Sequence, residues 1–447
     1  MFIFEQPQLP QVTRMNLLPI DDAQRVQLHN EVHARPSARI RLPAFILLVG
    51  VFNEGITREQ ECAHLQRLQP DLTLQDVQGN FVRMRLGDCT VKWERHTEFT
   101  RYSLVQPLPL GAELGAKNPE LLSHLMLPQG WLADIPGRTF SAIELVMLEG
   151  DVDDAQQTLE QARAWLGDPS VIASRMGSPA HSMVVTDFQL RDSGFERMLV
   201  VAPQGTSKAR AGRISQRLLE LETYRLMALR GLPVAKLVGS ELGDAEKELA
   251  DIIDTLEHKR GDDQALLARL VGLASTVERL TAEHAFRFSA TSAYDKLVHE
   301  RIAELRESAI SGTQTIGEFM KRRLSPAMAT VASTSQRLAS LSVRISRASA
   351  LLRTRVDIAT EEQNRLLLEK LTKGQALQLR LQTTVEGLSI AAISYYVVSL
   401  LLYAGKAAKA VGFGVEPELL AGAFIPLVLW LVWVATRRIH AKIHSDD

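Results

Sequence analysis

Two uncharged apolar runs near the C-terminus constrain this chain more than any other feature. "GLSIAAISYYVVSLLLYAG" (Gly387 to Gly405) spans 19 residues and "LLAGAFIPLVLWLVWVAT" (Leu419 to Thr436) spans 18. About 20 residues of helix cross the hydrocarbon core of a bilayer, so each run is expected to be a transmembrane helix rather than half of a buried core hairpin. Their ends fit. Tyr403 closes the first run, and Trp430 and Trp433 lie in the last turns of the second, followed at once by Arg437, Arg438, His440 and Lys442. Aromatic belts and basic flanks mark membrane interfaces. Lys373 and Arg380 precede the first run, whereas the loop between the runs carries only Lys406 and Lys409. The positive-inside rule then puts both termini in the cytoplasm and the short loop outside. The opening "MFIFEQPQLPQVTRMNLLPIDD" has no basic segment followed by a long apolar one, so no signal peptide is expected.

The average composition hides this asymmetry. Of 447 residues, 51 are basic and 52 acidic, a net charge of -1, which excludes the global positive field of a nucleic-acid binder. The two cysteines, Cys62 and Cys89, form no CxxC pair. They read as reduced thiols in a cytosolic domain, without a zinc or redox motif.

The N-terminal region carries strand and helix signals in alternation. "RIRLPAFILLVGVF" (Arg39 to Phe52) predicts a buried strand, Thr57 caps a helix over Thr57 to Gln69, and "FVRMRLGDCTVKWERH" predicts a hairpin turning at Gly87-Asp88. The same order returns: a strand over Thr139 to Leu148, a helix over Asp151 to Gly167, and a hairpin over Ser182 to Pro203 turning at Asp192-Ser193-Gly194. "HTEF" (His96 to Phe99) and "VTDF" (Val185 to Phe188) echo one another. The expectation is one α/β domain with a duplicated strand-helix-strand-strand unit.

From about Ser207 helical periodicity dominates. One helix is expected to stop at Gly231 and Pro233, and another to continue to Pro326. Beyond that proline, Leu338, Leu341, Ile345, Ala348 and Leu352 recur at alternating three and four, a coiled-coil seam. Leu377, Leu381, Val385 and Leu388 extend it, with Gly374 as an interruption. So long a helix needs partner helices. Arg344, Arg347, Arg353 and Arg355 on it read as a solvated or interhelical charge face.

Together, "NEVHARP" (Asn30 to Pro36), "ELETYRLMALRGLP" (Glu220 to Pro233), "RRLSPAM" (Arg322 to Met328), "LLRTRVDIATEEQN" (Leu351 to Asn364) and "LQLRLQTTVEGLSIAAISYYVV" (Leu377 to Val398) resemble an uncharacterised bacterial family of membrane-anchored proteins, domain of unknown function 3422. The resemblance spans nearly the whole chain. It implies an integral protein of the Gram-negative inner membrane and brings no catalytic residues.

Candidate sites are few. If the backbone before Pro36 is extended, His29, Glu31, His33 and Arg35 share one face. Two imidazoles and a carboxylate could ligate a metal. The neighbouring Arg35 favours instead an ion pair or an anionic ligand, and the preferred reading is a hydrogen-bonded clamp, with Asn30, that fixes the lead-in segment. Glu94, His96 and Glu98 sit at strand spacing and read as a solvated hairpin face. "PQGTSKARAGR" (Pro203 to Arg213) could meet a phosphate at a helix start but reads first as a linker. Tyr395, Ser399 and Tyr403 form a polar stripe on one face of the first apolar run, suited to a neighbouring helix more than to a pore. No P-loop, GxGxxG, HExxH or GxSxG motif occurs in the required context.

The expected fold class is therefore α+β: an α/β cytoplasmic domain (1–205), a helical coiled-coil stalk (206–385), two transmembrane helices (386–437) and a basic tail (438–447). The expected function is a non-enzymatic scaffold or sensor in the inner membrane. It would have no cofactor and no nucleic-acid partner, and would self-associate through stalk and spans. The alternative is an oligomeric channel with the architecture of CorA-type magnesium channels, whose Gly-Met-Asn loop is replaced here by "YAGKAAKAVGFGVEPEL".

Overall fold

The structure, a computed structural model, describes residues 36–443 apart from 113, 115–119, 168–169, 259–260, 411, 413 and 415, together with 22, 24, 25, 28 and 29. The elements run β1 (Ala44–Phe52), α1 (Arg58–Gln66), α2 (Leu74–Gln78), β2 (Phe81–Leu86), β3 (Cys89–Arg95), β4 (Phe99–Pro107), β5 (Arg138–Glu149), α3 (Ala155–Leu166), β6 (Ile172–Met176), β7 (Ser182–Thr186) and β8 (Glu196–Ala202). Helices α4 (Lys208–Leu229), α5 (Gly231–Glu257) and α6 (Asp263–Leu305) follow, then β9 (Ser308–Ala309), α7 (Ile316–Ala410) and α8 (Pro417–Ile443). The class is α+β. The chain divides into two units, one of Met1–Lys259 with Ala268–Ser346 and one of Arg260–Leu267 with Arg347–Asp447.

In the first unit the strands form one sheet in the order β2-β3-β4-β1-β5-β8-β7-β6-β9. Local chemistry sets its elements. Thr57 caps α1 in a full capping box with Gln60, satisfying orphan N–H groups in both directions. Helix α3 starts on Asp154 and ends at Gly167, whose φ of 69° is the left-handed stop that glycine adopts without Cβ strain. Both expected hairpins form, β2 with β3 and β7 with β8.

The two halves share a neighbour order, 2-3-4-1 and 6-7-8-5, about the central β1–β5 pair. They do not share strand sense. β1 pairs β4 antiparallel, whereas β5 pairs β8 parallel. Superposing one half on the other would reverse a central strand, so the expected duplication is not established.

Strand alternation separates the two faces. Phe45, Leu47, Val49 and Val51 of β1, with Val91, Trp93, Tyr102 and Leu104, face a core closed by Cys62 and Leu65 of α1, Val77 of α2, Trp131, and Leu159 and Trp165 of α3. The intervening Lys92, Glu94, Arg101 and Ser103 are also buried, on the face toward α4, where Arg101 lies 3.9 Å from Glu220.

The helix expected to stop at Gly231 and Pro233 ends there, at Leu229, and another starts at once with Pro233 in its first turn, where a missing N–H costs no hydrogen bond. The helices depart from expectation in two places. The helix expected to reach Pro326 ends at Leu305, and β9 intervenes before α7 begins at Ile316, ten residues before that proline. Gly374 does not interrupt α7.

Within the first unit α5 buries Ala235, Val238, Leu242, Ala245, Leu249 and Ile252, and α7 buries Met328, Val331, Leu338, Leu341 and Ile345. Both sets follow helical three-and-four spacing. Arg269–Glu248 (2.7 Å) and Arg279–Glu241 (3.2 Å) tie α6 to α5, and Arg337–Glu246 (2.7 Å) ties α7 to α5.

In the second unit Leu266, Ala348 and Leu352 are buried and Arg355 pairs with Asp263 at 3.3 Å. Helices α7 and α8 are each long and apolar enough to cross a membrane, and only 6% and 11% of their most apolar windows are buried. Ser394, Ala421 and Val428 are buried within them, and Lys409 pairs with Glu416 across the connection at 2.8 Å.

Candidate functional site

The residues that stand out in the sequence do not assemble into one site. His29 is helical and exposed, not part of an extended alternating face. Asn30, Glu31, His33 and Arg35 lie outside the described residues. Among the described residues, no group of three or more His, Cys, Asp or Glu is placed to hold a metal ion. The lead-in just after these residues is clamped, by other groups. Arg83 Nη2 donates to the Pro36 carbonyl at 2.8 Å, and Ile40 N–H donates to the Lys208 carbonyl at 3.0 Å. At Gly212 a Cβ would stand 1.6 Å from the Ala38 carbonyl oxygen, so only glycine lets the segment cross α4. Tyr395 and Tyr403 are exposed and Ser399 is half-buried.

Glu94 is a correction. Instead of lying on a solvated hairpin face, it is 1% exposed and sits between Arg101 (2.9 Å) and Lys92 (3.1 Å). Burial alone would raise its carboxyl pKa, but the two cations outweigh that and hold it below the ordinary carboxylate range. This pair opens a line of matched charges along the helix-facing side of the sheet. Glu220 of α4 takes Arg301 of α6 at 2.7 Å. On the opposite face, Glu144 of β5 takes Arg197 at 3.2 Å beside Trp165 of α3, yet burial still raises the Glu144 pKa. Glu222 pairs with Arg225, and Glu196 stands 3.5 Å from the same guanidinium. Burial, and then the neighbouring Glu222, push Glu196 up to about 9 against the pull of Arg225. Glu98 accepts from Arg287 and lies 3.5 Å from Arg230. Breaking such buried pairs is costly, and those on the α4 face hold α4 and α6 to the sheet.

A cavity of about 570 Å³ opens at the β3–β4 turn, lined by Arg58, Asn80, Arg95, His96, Tyr224 and Tyr294 among others. Its charges are largely satisfied. Arg58 Nη2 donates to Asn80 Oδ1 at 2.8 Å, Arg95 pairs with Glu61, and Thr100 Oγ1 donates to Glu61 Oε1 at 2.6 Å. The His96 ring stacks on Phe99 with centroids 4.4 Å apart. Burial raises the phenol pKa values of Tyr224 and Tyr294, so both stay neutral hydrogen-bonding groups. The arrangement suits binding of a polar molecule.

Neither thiol is poised for chemistry. Cys62 and Cys89 are free and buried, and burial raises both, Cys89 to about 12. A reactive cysteine requires the opposite shift.

The charged layer was legible as alternation in β3 and β4, where Val91 and Trp93 bracket Lys92 and Tyr102 follows Arg101. What hid it is that its partners come from α4 and α6, more than 100 residues away in sequence.

A family described as "Protein of unknown function (DUF3422)" matches residues 21–443. No curated protein matches the chain at a significant level.

Proposed function

The chain belongs to the DUF3422 family of unknown function, and we propose that it is a non-enzymatic scaffold or sensor anchored in the bacterial inner membrane by the last part of α7 and by α8. The observation that carries this reading is the exposure of the most apolar part of the chain. Leu388, Tyr395, Tyr396, Leu400 and Tyr403 of α7 and Leu419, Trp430 and Leu431 of α8 are all more than half exposed. The core helix of a soluble protein would bury such a surface, and contiguous apolar patches of this kind mark membrane or protein interfaces. The basic residues that flank both runs favour cytoplasmic termini.

Self-association belongs to the same reading. Upstream of the uncharged run, Leu377, Leu381 and Val385 are each about 60% exposed on α7, and an isolated helix of this length needs partners. A coiled coil between copies would cover them. The channel reading draws on the exposure of Tyr395 and Tyr403, which leaves that stripe available to line a ring.

Alkaline carbonate extraction of membranes tests the anchor. The full chain is expected to stay in the pellet, and release into the supernatant overturns the reading. Native mass spectrometry in nanodiscs separates the two forms. A monomer or dimer supports the scaffold or sensor, and a ring of about five copies supports the channel, because a two-helix hairpin cannot enclose a pore alone.

A further inference from the structure

A second cavity, of about 500 Å³, lies where α4 begins, between the β6–β7 turn and the end of α6. Arg210, Arg213 and Arg217 line it from α4, at spacings of three and four that place them on one helix face. Arg306, the left-handed stop just past the end of α6 with φ of 48°, adds a fourth guanidinium. The one carboxylate in the lining is Glu304, and it is shared between Arg217 at 3.1 Å and Arg301 at 2.6 Å. Arg210 donates only to the Ser178 carbonyl, at 3.4 Å, and the guanidiniums of Arg213 and Arg306 have no acidic partner among the described residues. The buried guanidiniums of this unit meet carboxylates, as at Glu94, Glu98, Glu144 and Glu222, whereas Arg213 and Arg306 are exposed in the cavity mouth. Here the positive charge is left unmatched.

An independent observation points to a ligand. Ser182 lines the same cavity and is 1% exposed, yet its Oγ has no hydrogen-bond partner. The Nδ1 of the adjacent His181 is likewise buried without a partner. Buried polar atoms are normally satisfied, and an exception calls for an unfilled role. The start of α4 at Ser207, which lines the cavity, adds the positive end of a 22-residue helix dipole.

We propose that this cavity binds a phosphoryl group, carried by a small phosphorylated molecule. Arginines on one helix face, a helix N-terminus and the Ser182 hydroxyl match an oxyanion with several acceptor oxygens and about two negative charges. A cavity of about 500 Å³ leaves room for the group that carries the phosphate. A single carboxylate, already engaged by two arginines, makes the site unsuitable for a metal cation. The proposal deepens the sensor reading by naming the class of ligand sensed, and it stands or falls separately from membrane anchoring.

The test is calorimetric titration of inorganic pyrophosphate into the full chain in zwitterionic nanodiscs at low salt, beside the double variant R213Q/R306Q and the single variant S182A. Wild-type protein is expected to bind. The double variant is expected to bind at least tenfold more weakly, since each charge-assisted hydrogen bond lost weakens binding by about tenfold or more. S182A is expected to fall in between. Without ligand, R213Q/R306Q is expected to melt no lower than wild type, because it removes unpaired positive charge. No pyrophosphate binding by wild type, or equal binding by the double variant, overturns the proposal. Repeating the titration in phosphatidylglycerol nanodiscs identifies the source of the phosphoryl group. Unchanged affinity assigns it to a soluble molecule, and loss of pyrophosphate binding upholds the phosphoryl site but assigns it to a lipid headgroup.

Discussion

Replacing Gly212 by alanine tests how the lead-in segment is held. In a helix interior this substitution ordinarily stabilises by about 1 kcal/mol, because alanine loses less backbone entropy. At Gly212 the new Cβ would lie 1.6 Å from the Ala38 carbonyl oxygen and 2.8 Å from its carbon, both backbone atoms that no rotamer change can move. Restoring a bare 3.0 Å contact requires the segment to retreat by about 1.4 Å, the difference between that distance and 1.6 Å. Such overpacking costs about 1–3 kcal/mol. The retreat also breaks the Ile40 N–H to Lys208 carbonyl bond of 3.0 Å, worth about 1 kcal/mol. Subtracting the propensity gain leaves a net loss of about 1–3 kcal/mol, or about 1–4 °C in melting temperature for a unit of this size. Gly239 and Gly243 of α5 have open space where a Cβ would go, so G239A and G243A are each expected to stabilise by about 1 kcal/mol. The assay is thermal unfolding by circular dichroism on the three variants, with limited proteolysis to detect release of residues 36–40. The reasoning is refuted if G212A melts at or above wild type while the two controls are stabilised.

Two further outcomes follow from buried titratable groups. Glu196, pushed up to about 9, keeps a proton in the folded chain that the unfolded chain releases above about pH 4.3. Its contribution is fully present below that pH and is lost as pH rises through about 9. Wild-type stability should therefore fall between pH 6 and 9 relative to E196Q, and parallel pH profiles of denaturant midpoints for the two proteins would refute this. Cys62 and Cys89, both buried with raised thiol pKa values, should resist maleimide in the native protein at pH 7.5 and react fully in guanidinium. Rapid native labelling of either would contradict their placement.

Much of the local structure was legible because it depends on neighbours in sequence. Thr57 and Gln60 are three apart and close a capping box around α1. Gly87-Asp88 and Asp192-Ser193-Gly194 sit where the chain reverses. The apolar seam from Leu338 to Leu352 is buried as its three-and-four spacing expects. The candidate sites were legible only in part. Arg210, Arg213 and Arg217 could have been read as one helix face from their spacing. That Arg306, Ser182 and His181 would join them could not, because those residues arrive from separate elements.

The sequence by itself determined the α+β class, the position of the turns and the two apolar helices at the C-terminal end, since periodicity, caps and uncharged length are short-range properties. Tertiary structure decided the rest. It made β5 and β8 parallel where β1 and β4 are antiparallel, and started a new helix directly after the expected stop, with Pro233 in its first turn. It also buried Glu94 between two cations and left Arg210 and Arg213 at the start of α4 without acidic partners among the described residues. Strand sense and charge matching depend on which distant segments meet, and a single sequence records those meetings only through residues that, like Gly212, leave room for a neighbour.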